Sequence, residues 1–140
     1  MPLIYRTMFS DGNKPVVGSS ANTLGVRVAP AVVQDLAVAG DGSVQPGTGG
    51  MSVAPAWRGL PDHRIPRRLK AKCPQATGND KLHCWRMGDG PFVACALTSD
   101  LLLAPDSASH ANVEPARKMP LAAYERALTA TQSFWIIDEG

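Results

Sequence analysis

Three prolines, Pro55, Pro61 and Pro66, punctuate Gly47–Leu69 (GTGGMSVAPAWRGLPDHRIPRRL) and prevent it from forming a regular helix. A chain with such a segment at its centre must hold it as an extended or looping wrap, fixed by side-chain packing. The wrap carries Trp57, His63 and four arginines, Arg58, Arg64, Arg67 and Arg68. Arginine offers a planar fork suited to phosphate or carboxylate. The segment therefore reads either as an anion-binding surface or as a proline-rich loop whose arginines satisfy backbone carbonyls. At its head, Gly49 and Gly50 permit positive φ or a close approach of backbone to a ligand, and Met51-Ser52-Val53 then enters a short strand that turns the Ser52 hydroxyl to one side.

Charge is concentrated in the same place. Six basic residues between Arg58 and Lys72 face Asp62 alone, a local +5 within a chain whose net charge is only +2. So small a total does not by itself imply nucleic-acid binding. A hydrophobic share of 44% with 19% charged residues excludes disorder, and 140 residues suit one domain, 1–140, with one real core. Thirteen glycines and twelve prolines favour many short strands over a helical bundle. The three cysteines, Cys73, Cys84 and Cys95, cannot all pair, and free thiols in a reducing compartment are the simplest reading. A zinc set of Cys73, His83, Cys84 and Cys95 is disfavoured, because adjacent His83 and Cys84 point apart on a strand; no metal is expected. No segment approaches transmembrane length, and MPLIYRT lacks the pattern of a cleaved signal, so a cytoplasmic protein is expected, with export by a route that needs no cleaved signal as the alternative.

Taken in order, Leu3–Phe9 suits a first strand on which Ile4, Arg6 and Met8 share a face, and a buried Arg6 would call for an anionic partner. Ser10–Thr23 reads as a loop, and Gly25–Ala29 and Asp35–Ala39 as short strands, with Leu36–Val38 pairing near Val44 around the Gly40-Asp41-Gly42 turn. Leu82–Met87 alternates as a strand. Phe92–Ser99 is ambiguous by periodicity and leans to a short helix. Leu101–Ala104 reads as a fully buried strand and His110–Ala116 as the last one. Pro120 then opens a helix over Leu121–Ile136 with Leu121, Tyr124 and Leu128 along one stripe. Asp138 and Glu139 lie at the unfavourable end of its dipole, which predicts fraying or pairing with a basic side chain. The fold class expected is α+β: a compact curved or split β-sheet of short strands with a C-terminal helix.

Arg6, Ser52, Trp57, His63, His110 and Glu114 would converge if these strands form one curved sheet. His110 and Glu114 share strand parity and hence a face. Ser52 lacks the G-x-S-x-G elbow of a hydrolase.

Tyr5-Arg6 near the start, Pro46 with Thr48-Gly49-Gly50 and Ser52-Val53, and late His110 with Pro115-Ala116 follow one another in an order that resembles the small type VI secretion effector toxins with an ADP-ribosyltransferase-like fold. The resemblance implies NAD in a central cleft and transfer of its ADP-ribose to a macromolecular acceptor, in a bacterial toxin that acts on an intracellular target and has a cognate immunity (antitoxin) partner. By that likeness Arg6 contacts NAD and Ser52 shapes the nicotinamide–ribose site, with Gly49 and Gly50 in the central motif. The residue types agree: Tyr5 or Trp57 would stack on nicotinamide, and Arg58, Arg64 and Arg67 would supply the positive field for a dinucleotide. An oxocarbenium-like ribose calls for a carboxylate. There is no Glu-x-Glu or Gln-x-Glu, so Glu114 is nominated on strand geometry, with His110 as its orienter. Two rival readings are a metal-independent nuclease toxin using His63 or His110, and a non-catalytic module that binds a nucleotide or a protein partner.

Overall fold

The computed structural model describes residues 1–140. Its longest strand is β1, Ile4–Asp11, where aromatic and apolar residues flank Arg6 and Thr7 and the first five residues are all buried. β1 turns at Gly12, whose φ of 62° suits a residue without a side chain, into β2, Lys14–Pro15. The expected loop at Ser10–Thr23 therefore begins as a hairpin. β3 (Ser43–Val44) and β4 (Met51–Val53) precede the wrap, and β5 (Leu82–Met87), β6 (Cys95–Ala96), β7 (Leu101–Pro105), β8 (Ala111–Pro115) and β9 (Met119–Pro120) follow it. The chain ends through helix α1 (Leu121–Thr129), a 3₁₀ turn and β10 (Ile136–Ile137).

Two four-stranded antiparallel sheets result, ordered β10-β5-β1-β2 and β4-β8-β7-β6, with β3 and β9 as a separate ribbon. They touch through a single bridge between Tyr5 of β1 and Ala54 just after β4. This is the split sheet anticipated from the sequence, and α+β is its class. The main core lies between the sheets and α1. Ile4, Met8, Trp85 and Met87 from one sheet meet Met51, Val53, Leu101, Leu103 and Val113 from the other, closed by Tyr124 and Leu128 of α1. A second cluster lies under the wrap, where Tyr5, Trp57, Ile65, Cys73 and Cys84 pack together.

The wrap is irregular, as its prolines require. It is built from three 3₁₀ turns, Trp57–Gly59, Asp62–Arg64 and Arg67–Leu69. Other expectations are corrected. Gly25–Ala29 and Asp35–Ala39 are not strands: the two segments run against one another, but the Asp35 carboxylate accepts the Arg27 amide at 2.7 Å, so a side chain replaces one rung of a ladder. The turn at Ala39–Ser43 is present, yet Leu36 bridges to Gly49 while Val44 pairs with Met119. Phe92–Ser99 is not helical; Cys95–Ala96 pairs with β7, because an open sheet edge can accept a short apolar segment. β7 is buried on one face only, through Leu101 and Leu103. The helix ends at Thr129, not Ile136. Thr131 Oγ1 bonds the Leu128 carbonyl and receives Trp135 Nε1–H, which breaks the helix and lets Ile136 and Ile137 pair with β5. Asp138 and Glu139 do find basic partners, Arg86 and Arg68.

Candidate functional site

Beyond the Tyr5–Ala54 bridge the two sheets separate, and a cleft of about 350 Å³ opens between β1 and β4, walled by the wrap and floored by loop residues 21–35. Its volume lies in the range of small-molecule sites. Arg6, Ser52, His63, Arg64 and His110, all singled out from the sequence, border it, together with Arg27 and Asp35, which were not.

Arg6 is the hub. It is 6% exposed and makes no ion pair; Nη1 donates to Ser52 O at 2.9 Å, Nε and Nη2 donate to Thr23 O at 3.1 and 3.0 Å, and Nη2 also reaches Ser20 O and Gly25 O. The expected anionic partner is replaced by converging carbonyl dipoles, because the 20–25 loop folds back over β1. Burial, followed by the neighbouring Arg64, pulls its pKa down to about 10. Its donors are thus engaged within the protein, and they tie β1, β4 and the loop into one frame.

Gly49 and Gly50 serve packing. Gly49, at φ +106°, lies where a Cβ would stand 2.1 Å from Asp35 O, and a Cβ on Gly50 would stand 2.2 Å from Val113 O. Gly50 N–H donates to Asp35 O at 2.9 Å. The glycine pair is therefore a seat for the Asp35 segment. Asp35 in turn holds Arg27 in a fork, with Oδ1–Nη2 at 2.9 Å and Oδ2–Nε at 3.2 Å. Burial alone would raise its pKa, but the bonds from Arg27 outweigh that and hold it below the usual carboxylate range.

His110 stands at the rim, its Nδ1 2.8 Å from Asp106 Oδ1. The Asp106 carboxylate can only accept, so Nδ1 is the donor in this contact, and Nε2 is left without a protein partner. Ser52 pairs across the sheet with Asn112, two residues from His110, which places Ser52 and His110 diagonally on one face.

The remaining nominated residues lie elsewhere. Glu114 is 8% exposed and does not border the cleft; its Oε1 accepts the Gly47 amide at 2.9 Å and supports the turn there. Tyr5 packs in the second cluster and donates its hydroxyl proton to Asp138 at 2.8 Å. Trp57 is 4% exposed and covered by the Arg58 guanidinium, 4.7 Å from the ring centroid. Arg58 and Arg67 face solvent away from the cleft. The sequence signal for Arg27 and Asp35 was faint, a basic and an acidic residue eight apart across a proline. No cluster of three or more His, Cys, Asp or Glu side chains that could hold a metal is formed, and no helix is long and apolar enough to cross a membrane.

The family model described as Tse2 ADP-ribosyltransferase toxin matches residues 6–139. The chain belongs to that family. The match takes in all of the chain's elements but the first two residues of β1, and all the cleft residues, and the split sheet is consistent with an ADP-ribosyltransferase-like fold. No curated protein matches the sequence.

Proposed function

We propose that this ADP-ribosyltransferase toxin binds NAD in the cleft between its half-sheets and transfers the ADP-ribose to a macromolecular target inside a cell. The observation that carries the reading is the cleft itself. It opens where β1 and β4 part, beside Arg6 and Ser52, and gathers three guanidinium groups around a single carboxylate, Asp35. Such a field suits an anionic dinucleotide.

In the reaction the bond from nicotinamide nitrogen to ribose C1′ breaks, nicotinamide departs with the bonding pair, and an acceptor oxygen or nitrogen bonds to C1′. The acceptor's proton needs a base. His110, fixed by Asp106 with Nε2 free, supplies one at the rim where an acceptor would approach. Ser52 supplies a hydroxyl on the same face for the ribose or amide. Glu114 does not border the cleft; its carboxylate is engaged by the Gly47 amide, and it acts through the turn there. Entry into a target cell implies delivery as a type VI effector, and the producing cell then needs an immunity protein to cover or distort the cleft.

Calorimetric titration with NAD, followed by chromatographic assay of nicotinamide release, tests this. The expected result is saturable binding by the wild type, with release lowered at least tenfold in His110→Ala while binding is retained. Absence of NAD binding to the folded wild type overturns the reading.

A further inference from the structure

Three guanidinium groups meet at one cleft against one carboxylate, which like-charge repulsion makes costly unless an anion joins them. They are not equivalent. Arg6 has its donors on carbonyls. Arg27 commits Nε and Nη2 to Asp35 and leaves Nη1 free. Arg64 commits only Nη1, to Ala21 O at 2.9 Å and Asn22 Oδ1 at 3.5 Å, and leaves Nε and Nη2 without partners. No carboxylate pairs with Arg64, although it is half-buried. Burial and then Arg27 lower its pKa, so the two side chains already feel one another.

We propose that Arg27 and Arg64 form a two-guanidinium clamp for a diphosphate, with Asp35, seated on Gly49-Gly50, as the positioning residue that aims Arg27. Arg27 Nη1 takes an oxygen of one phosphate, and the Arg64 Nε–Nη2 edge takes the other in a fork. Arg64 is fixed by the second 3₁₀ turn of the wrap and by the 21–22 loop, and Arg27 by Asp35; each is preorganised without the ligand. This gives the Thr48-Gly49-Gly50 stretch a task at one remove: it holds the backbone that holds Asp35. Arg6, by contrast, builds the frame and does not receive the anion.

The clamp rests on the NAD reading only for the identity of the diphosphate, so inorganic pyrophosphate tests it separately. Pyrophosphate is titrated by calorimetry into wild type, Arg64→Gln, Arg27→Gln and Asp35→Asn, with orthophosphate and NAD as parallel ligands. Because Arg27→Gln and Asp35→Asn loosen a loop, arginine side-chain NMR of the wild type is recorded in the same titration. The expected result is that pyrophosphate binds at least tenfold more tightly than orthophosphate, shifts the Nε–H resonances of Arg27 and Arg64, and is weakened at least tenfold by Arg64→Gln. Failure of pyrophosphate to bind the wild type, or unmoved Arg27 and Arg64 resonances, overturns the clamp. Pyrophosphate bound through these arginines without NAD binding leaves the clamp standing and removes the NAD reading. NAD bound equally by wild type and Arg64→Gln does the reverse.

Discussion

Tyr5 and Ala54 exchange both backbone hydrogen bonds, Tyr5 N to Ala54 O at 2.7 Å and Ala54 N to Tyr5 O at 3.0 Å, and this one pair joins the two halves of the sheet. The next residue on β1 is Arg6, whose Nη1 donates to Ser52 O at 2.9 Å, so a side chain and not a second backbone rung links the two strands there. The half-sheets are thus joined by one backbone pair and one arginine, and the cleft opens beside them.

Arg6→Met should lower the unfolding free energy by about 2–4 kcal/mol, since the carbonyls of Thr23 and Ser52 lose charged donors in a buried site. Urea unfolding measures this. A loss below about 1 kcal/mol would mean that the frame is held by other contacts.

Gly50→Ala should cost about 3 kcal/mol or more, because the new Cβ would stand 2.2 Å from the Val113 carbonyl and neither β4 nor β8 can yield without breaking its pairing. Gly47→Ala is the control. A Cβ there meets nothing within 4 Å, so only the strain of its φ of 85° remains, and the loss should be near 1 kcal/mol, as for Ala placed at positive φ. Comparable midpoints for the two variants in denaturant would refute the packing account.

Acid should loosen the C-terminal strand. Burial alone would raise the Glu139 pKa, but Arg68 and the Cys84 amide outweigh it and depress it; Asp138 is depressed by the Tyr5 hydroxyl and Arg86. A carboxylate with a depressed folded pKa contributes stability that is present above its unfolded value and is lost as pH falls through the folded one. Stability should therefore decline below about pH 4, where the unfolded groups titrate. Thermal midpoints of wild type and Glu139→Gln, measured between about pH 6 and pH 2.5, should converge in acid. Parallel curves would remove Glu139 from the effect.

Thiol labelling should separate the cysteines. Cys73 and Cys84 are buried, and burial, followed by Glu139, pushes the Cys84 thiol up to about 12, whereas Cys95 is half-exposed on an edge strand. A maleimide at neutral pH should modify Cys95 first and the other two only on unfolding, as mass spectrometry of peptides would show. Rapid native labelling of Cys84 would contradict the packing under the wrap.

Much of the fold was legible because it depends on local rules. Prolines broke the wrap, the short apolar and aromatic run at Leu3–Phe9 marked β1, alternation marked β5, and the order of the Tyr5-Arg6, Thr48-Gly49-Gly50 and His110 blocks pointed to the toxin family that the chain joins. The helix end was misjudged because Ala-rich periodicity continues past Thr129, while the competing bonds of Thr131 are tertiary. Glu114 was nominated on parity, which assigns a face of a strand but not what lies over it; the Gly47 amide lies there.

By itself, the sequence determined the class of fold, the irregular basic wrap, the lack of a regular helix through it and the family. Which arginines are free was decided only by tertiary structure. Arg6, Arg58, Arg64, Arg67 and Arg68 are chemically identical, and their roles differ by what the fold sets against each: carbonyls for Arg6, the Trp57 ring for Arg58, Glu139 for Arg68, solvent for Arg67, and a cleft for Arg64. Hydrogen-bond donors are assigned over a few ångströms in space, between residues that can lie 71 positions apart in the chain, as Arg68 and Glu139 do, and no local pattern encodes that pairing.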